Sequence, residues 1–114
     1  MAYYFTKTLK TEQFDEVVAR TIDALKAEGF GVLTEIDVQQ TLKKKLDVDF
    51  RPYKILGACN PPFAYKALSA EDKIGTMLPC NVVVQKKDTG IEVSAVDPVA
   101  SMLAVENTGL RRSE

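Results

Sequence analysis

Tyr53-Lys54-Ile55-Leu56-Gly57-Ala58-Cys59-Asn60-Pro61-Pro62 opens, and Leu78-Pro79-Cys80-Asn81-Val82-Val83-Val84 closes, the stretch whose reading decides how this chain folds. The first run alternates like a strand, with Ile55, Gly57 and Cys59 on one side and Lys54, Leu56 and Ala58 on the other. Gly57 and Ala58 are small, and small residues inside a strand let a backbone, a side chain or a ligand come close. Asn60 followed by Pro61 is a helix start. The amide oxygen of asparagine accepts a bond from a free N–H of the first turn, and proline has no N–H to waste there. A helix is predicted over 61–68. Ser69 with Asp72 three residues on suggests a bend and a further short helix from residue 70 to 75 or 76. Pro79 stops it, and the run Val82-Val83-Val84 sits in a strand over 81–87.

Upstream, residues 3–9 mix aromatic and β-branched side chains with polar ones and suit a half-buried first strand. After Thr11, the residues Phe14, Val17, Val18, Thr21, Ile22 and Leu25 recur at three- and four-residue steps, the apolar stripe of a helix that Gly29 terminates. The period then changes to two. Phe30, Val32, Thr34 and Ile36 are expected on one side of a second strand, after which Asp37 caps a shorter helix over 38–46 built on Val38, Leu42 and Leu46. Residues 47–51 form a loop into Pro52.

Downstream, a turn over 87–90 joins the fourth strand to a fifth over 91–96, making a hairpin. Asp97-Pro98 repeats the cap-then-proline signal before a last helix carrying Val99, Met102, Leu103 and Val105. Asn107-Thr108-Gly109 ends it, and 110–114 is a frayed polar tail. The order is β-α-β-α-β-α-α-β-β-α over one domain, 1–114. A hairpin interrupting the helices favours an α+β fold, a single mainly antiparallel sheet packed by helices, over a regular doubly wound one.

The totals narrow the function. A chain of 114 residues with 46% hydrophobic and 27% charged residues is an ordinary single globular domain. A net charge of −1 exerts no global pull on a phosphate backbone, so nucleic acid is not an expected partner. No secretory signal and no membrane-length apolar run is present, so the expected location is cytoplasmic, with reduced thiols. The chain has no histidine, which removes the usual general base near neutral pH and the commonest transition-metal ligand, and excludes Ser-His and Cys-His nucleophile arrangements.

Both cysteines lie in the opening stretch, each followed by asparagine, and Gly57, Cys59, Asn60, Cys80 and Asn81 are the candidate ligand-binding residues. Cys59 ends a strand just before a helix start, where a thiolate is favoured; equally, a free cysteine is a small apolar core residue. Asn60 is first of all a cap, and a helix N-terminus also suits phosphate or carboxylate. Two thiols do not fill a four-coordinate zinc shell, so Cys59 and Cys80 hold a metal only if completed by acids or by a second subunit. No residue is assigned a catalytic role and no cofactor is specified. Three readings follow: a small ligand- or ion-binding module, dimeric, with its site at the two Cys-Asn motifs; a thiol-dependent enzyme or redox sensor; and a structural or interaction domain without chemistry.

The runs Tyr-Lys-Ile-Leu-Gly-Ala-Cys-Asn-Pro-Pro-Phe-Ala-Tyr-Lys-Ala-Leu and Ile-Gly-Thr-Met-Leu-Pro-Cys-Asn-Val-Val-Val, with the later Val-Asp-Pro, resemble the bacterial and archaeal family called domain of unknown function 302. The resemblance covers nearly the whole chain and rests on Gly57, Cys59, Asn60, Pro61, Leu78, Pro79, Cys80, Asn81, Asp97 and Pro98. It implies a compact α+β fold of the TATA-binding-protein-like kind and frequently a homodimer. It implies no established activity.

Overall fold

A computed structural model describes residues 4–11 and 13–96. The order is β1 (Tyr4–Leu9), α1 (Phe14–Ala27), β2 (Gly31–Asp37), α2 (Val38–Leu46), β3 (Tyr53–Cys59), α3 (Pro61–Ala70), a 3₁₀ turn (Ile74–Met77), β4 (Cys80–Lys87) and β5 (Gly90–Val96). The five strands form one sheet in the order β1-β5-β4-β3-β2, antiparallel at every pairing. This is the α+β, single-sheet architecture expected from the sequence. The expected last helix after Asp97-Pro98 and the tail over 110–114 lie outside the described residues, as does Tyr3 at the start of the first strand.

The alternation read in β3 sorts the sheet into two faces. Leu56 and Ala58 are buried, and the register sets Leu56 opposite Val82, while Val84 faces Val93. On this face α1 lays Val17 and Val18, which form one core cluster with Leu56, Val82, Val84 and Ile91. Each such side chain withdrawn from water stabilises the fold by about 1.5–3 kcal/mol before the entropy of ordering it is subtracted. Phe14, Ile22 and Leu25 of α1 pack at the cluster's margin, so the stripe predicted for this helix does face the sheet.

The helix ends follow their local chemistry. Gly29, at φ +87°, takes the left-handed conformation just after α1. Oδ1 of Asp37 accepts the Gln40 amide at 2.9 Å and starts α2. The hairpin between β4 and β5 turns through Asp88 and Thr89, and Gly90, at φ +135°, lies so close to the Leu9 carbonyl that a Cβ there would collide with it.

Two local readings need correction. The expected side of Phe30, Val32, Thr34 and Ile36 does not exist as one face, because the register with β3 shifts between Val32 and Thr34. The extra residue of that bulge leaves Val32 opposite Ala58 on the core side and moves Thr34 and Ile36 to the face away from α1, opposite Gly57 and Ile55. Ser69 starts no new helix either: α3 runs on to Ala70, and the second turn is the 3₁₀ segment Ile74–Met77, which buries Ile74. The intrahelical bonds of α3 continue through Ser69, so it is never at a helix start.

Candidate ligand site on the sheet face turned away from the first helix

The five candidate residues separate across the sheet. Ala58 pairs with Cys80, so Cys80 shares the core-facing side of the sheet with Leu56 and Val82. Cys59, opposite Gly31, and Asn81, opposite Gly57, stand one residue away in each strand and point to the other face. Both cysteines are free and half-buried. Burial pushes the Cys80 thiol above its ordinary pKa, and the nearby Cys59 adds in the same direction. Among the described residues no group of three or more Cys, Asp or Glu gathers in a way that would hold a metal ion.

Asn60 and Gly57 are already engaged within the chain. Asn60 Oδ1 accepts the Phe63 amide at 3.1 Å, closing the first turn of α3. Its Nδ2 lies against Gly29, where a Cβ would stand 3.4 Å away. The space over Gly57 is filled by Oγ1 of Thr34 and the ring of Pro79, and the peptide before Pro79 is cis. The close approach that a small residue permits is therefore used by two side chains of the same molecule.

The face of the sheet turned away from α1 carries a groove of about 490 Å³. Tyr4 and Tyr53 flank it, and Asn81, Val83, Gln85, Lys87, Glu92 and Ser94 line it. Pairing explains the convergence. Gln85 is opposite Glu92, Val83 opposite Ser94, and Ser94 opposite Thr6, so alternate residues of β4, β5 and β1 project to this one face.

A chain of polar contacts crosses the strands here. Arg51 Nε donates to Gln85 Oε1 at 3.0 Å, and Gln85 Nε2 to Glu92 Oε1 at 3.4 Å. The Ser94 hydroxyl donates to the same Glu92 oxygen at 3.4 Å and lies 2.9 Å from the Thr6 hydroxyl. Lys87 Nζ pairs with Glu92 Oε2 at 3.2 Å. Gln85 is 9% exposed. The Glu92 side chain is 18% exposed, so its charge is held by partners more than by water.

Sequence reasoning singled out Asn81 from this groove and passed over Gln85, Glu92 and Ser94. Their signal was present in the period-two spacing of Asn81, Gln85 and Lys87 and of Glu92 and Ser94, which puts these polar residues on one face of a hairpin, with Val83 and Val96 among them. Tyr53 lines the groove, whereas Phe63 and Tyr65 on α3 are 56% and 75% exposed and do not line it. A smaller depression of about 270 Å³ at the hairpin tip is lined by Lys10, Thr11 and residues 86–90.

No curated protein matches the chain. Among solved structures it is similar to the crystal structure of an uncharacterized conserved protein DUF302 from Bacillus stearothermophilus, at 29% identity and a TM-score of 0.85, over 98% of this chain and 87% of that one. The model of the family described as domain of unknown function DUF302 matches residues 5–114, and the chain belongs to that family.

Proposed function

We propose that this protein is a small cytoplasmic ligand-binding module whose ligand lies in the groove between Tyr4 and Tyr53. The observation that carries this reading is the fixed set of polar side chains, Gln85, Glu92 and Ser94, on the floor of a concavity of about 490 Å³. Binding sites combine a concave shape with a few polar groups held in place by their neighbours; this groove is open to solvent along one side and has such polar groups on it. Of the two Cys-Asn motifs, Asn81 supplies a groove wall, while Cys59, Asn60, Cys80 and Gly57 support the strand ends beside it. A metal at Cys59 and Cys80 is not part of the proposal. Among the described residues no helix is long and apolar enough to cross a membrane.

The module is proposed to act as a homodimer. Tyr65 and Leu68, three residues apart on one face of α3, are 75% and 44% exposed, apolar area that a second copy would withdraw from water. Sedimentation equilibrium at micromolar concentration is expected to give twice the chain mass; a monomer there overturns this part.

The ligand site is tested by screening a library of small polar fragments with protein-detected NMR. Hits are expected to move the amides of Asn81, Gln85 and Ser94, and Asn81→Ala and Ser94→Ala are expected to weaken them. Hits that map elsewhere, or none at all, count against the groove. The thiol reading has less support, since burial of Cys80 lowers its thiolate fraction at neutral pH.

A further inference from the structure

The segment leading into β3 is held unusually firmly for a loop. Gln39 Nε2 donates to the Phe50 carbonyl at 2.8 Å, and the Lys86 amide donates to the Pro52 carbonyl at 2.9 Å, so the backbone on both sides of Arg51 is tied down. The Arg51 side chain is fixed as well. Its guanidinium carbon lies 4.4 Å from the centre of the Phe50 ring and 5.7 Å from that of Tyr53, and Nε is spent on Gln85. An arginine held over aromatic rings and by one hydrogen bond has already lost most of its rotamer freedom. Its two terminal nitrogens remain available, and among the described residues no carboxylate pairs with it.

The charge balance of the groove favours an anion. The lining charges Lys87 and Glu92 neutralise each other at 3.2 Å, and Arg51, exposed and outside the lining residues, stands at the rim as the uncompensated charge next to Gln85 and Tyr53. Planar guanidinium donors match two oxygens of a carboxylate or phosphate, and a pre-positioned fork binds them without a further ordering cost.

We propose that Arg51 is the anion anchor of the groove and that the ligand is a small molecule bearing a carboxylate or phosphate, its remaining polar groups meeting Gln85, Glu92 and Ser94. The inference rests on the groove being the ligand site and adds the chemical class. Arg51 stands at the Tyr53 end, so the oxyanion lies there and the body of the ligand extends toward Tyr4.

The test titrates inorganic phosphate and, separately, acetate into ¹⁵N-labelled protein at constant ionic strength, following the Arg51 Nε–H and Gln85 side-chain signals. At least one anion is expected to shift both saturably, and the preferred one tells phosphate from carboxylate. Arg51→Gln is expected to abolish the shifts. Arg51→Lys, which keeps the charge and loses the fork, is expected to weaken binding by roughly tenfold. Both variants are first checked for an unchanged thermal midpoint and amide dispersion outside the groove. Equal anion shifts in the wild type and in Arg51→Gln overturn the role of Arg51. If neither anion shifts a groove signal while neutral fragments do, the anion class falls and the groove stands; if no fragment binds there either, both fall.

Discussion

The ring of Pro79 lies against Gly57 on the sheet face turned away from α1: a Cβ at Gly57 would stand 2.7 Å from Cγ of Pro79 and would collide with Oγ1 of Thr34. The two residues stand at opposite ends of the stretch that organises the chain, and their contact fixes how the segment entering β4 meets the middle of the sheet. Pro79 is also a wall of the groove, so this packing shapes the candidate site.

Gly57→Ala is therefore expected to destabilise the protein by about 1–3 kcal/mol, the cost of overpacking a filled site. Urea unfolding measures it. Adding Thr34→Ala is expected to recover only part of the loss, because the proline ring cannot rotate away as a hydroxyl can. Full recovery would show that Thr34 alone fills the space.

Leu56 is fully buried between the sheet and α1, in the same cluster as Val17, Val18, Val82 and Val84. Truncation to alanine removes apolar contact and leaves a cavity, at about 2–5 kcal/mol. The exposed Leu33, 69% accessible on edge strand β2, is expected to change by about 0.5 kcal/mol or less on the same substitution. Paired chemical denaturation of the two variants checks the contrast.

Asn60→Ala is expected to cost about 0.5–2 kcal/mol by leaving the Phe63 amide without its acceptor, while Asn60→Asp keeps the cap and is expected to lose little. Fragment binding in the groove, measured by the same NMR screen, is expected to be unchanged by Asn60→Asp. A loss of binding in that variant would return Asn60 to the list of ligand contacts.

Lys54 Nζ donates to Glu35 Oε1 at 2.9 Å, and that bond raises the lysine pKa above its ordinary value, with burial opposing it. A raised pKa in the folded state stabilises the fold fully below the ordinary lysine range, and this stability is lost as pH rises through the folded value. Glu35→Gln is expected to cost about 0.2–1 kcal/mol at pH 7, since the side chains remain 22% and 43% exposed. The gap between wild type and variant narrows in alkaline solution beyond the lysine range. Thermal melts across that range report the effect; a gap that widens with pH would contradict it.

Alkylation of Cys80 by iodoacetamide is expected to rise with pH later than for an ordinary thiol, since burial and the neighbouring Cys59 both disfavour its thiolate. Cys59→Ala removes the smaller contribution. The profile then moves partway back toward that of an exposed thiol, whereas a complete return would show that burial is not the larger cause.

The local elements were legible because their causes are local. Asp37 and Asn60 cap the helices they precede, Gly29 ends α1, and the turn before Gly90 joins a hairpin, each within a few residues of its signal. The period of Phe14, Val17, Val18, Ile22 and Leu25 told which face of α1 meets the sheet. The bulge at Leu33 was not legible, because it is set by the pairing of β2 with β3 and not by β2 alone.

The doubled Cys-Asn motif shows the same boundary. By itself the sequence determined that each pair sits at a strand end and that one of them begins a helix, since proline and asparagine act on their immediate backbone. Only the tertiary structure decided that Cys80 and Asn81 turn to opposite faces of the sheet. A strand sends successive side chains to opposite faces, and the Ala58–Cys80 register assigns Cys80 to the core side and Asn81 to the groove. Gln85, Glu92 and Ser94 are brought together by the β4–β5 hairpin that the sequence already showed, whereas Arg51, just ahead of β3, reaches Gln85 only because β3 pairs with β4, a long-range pairing that no local pattern encodes.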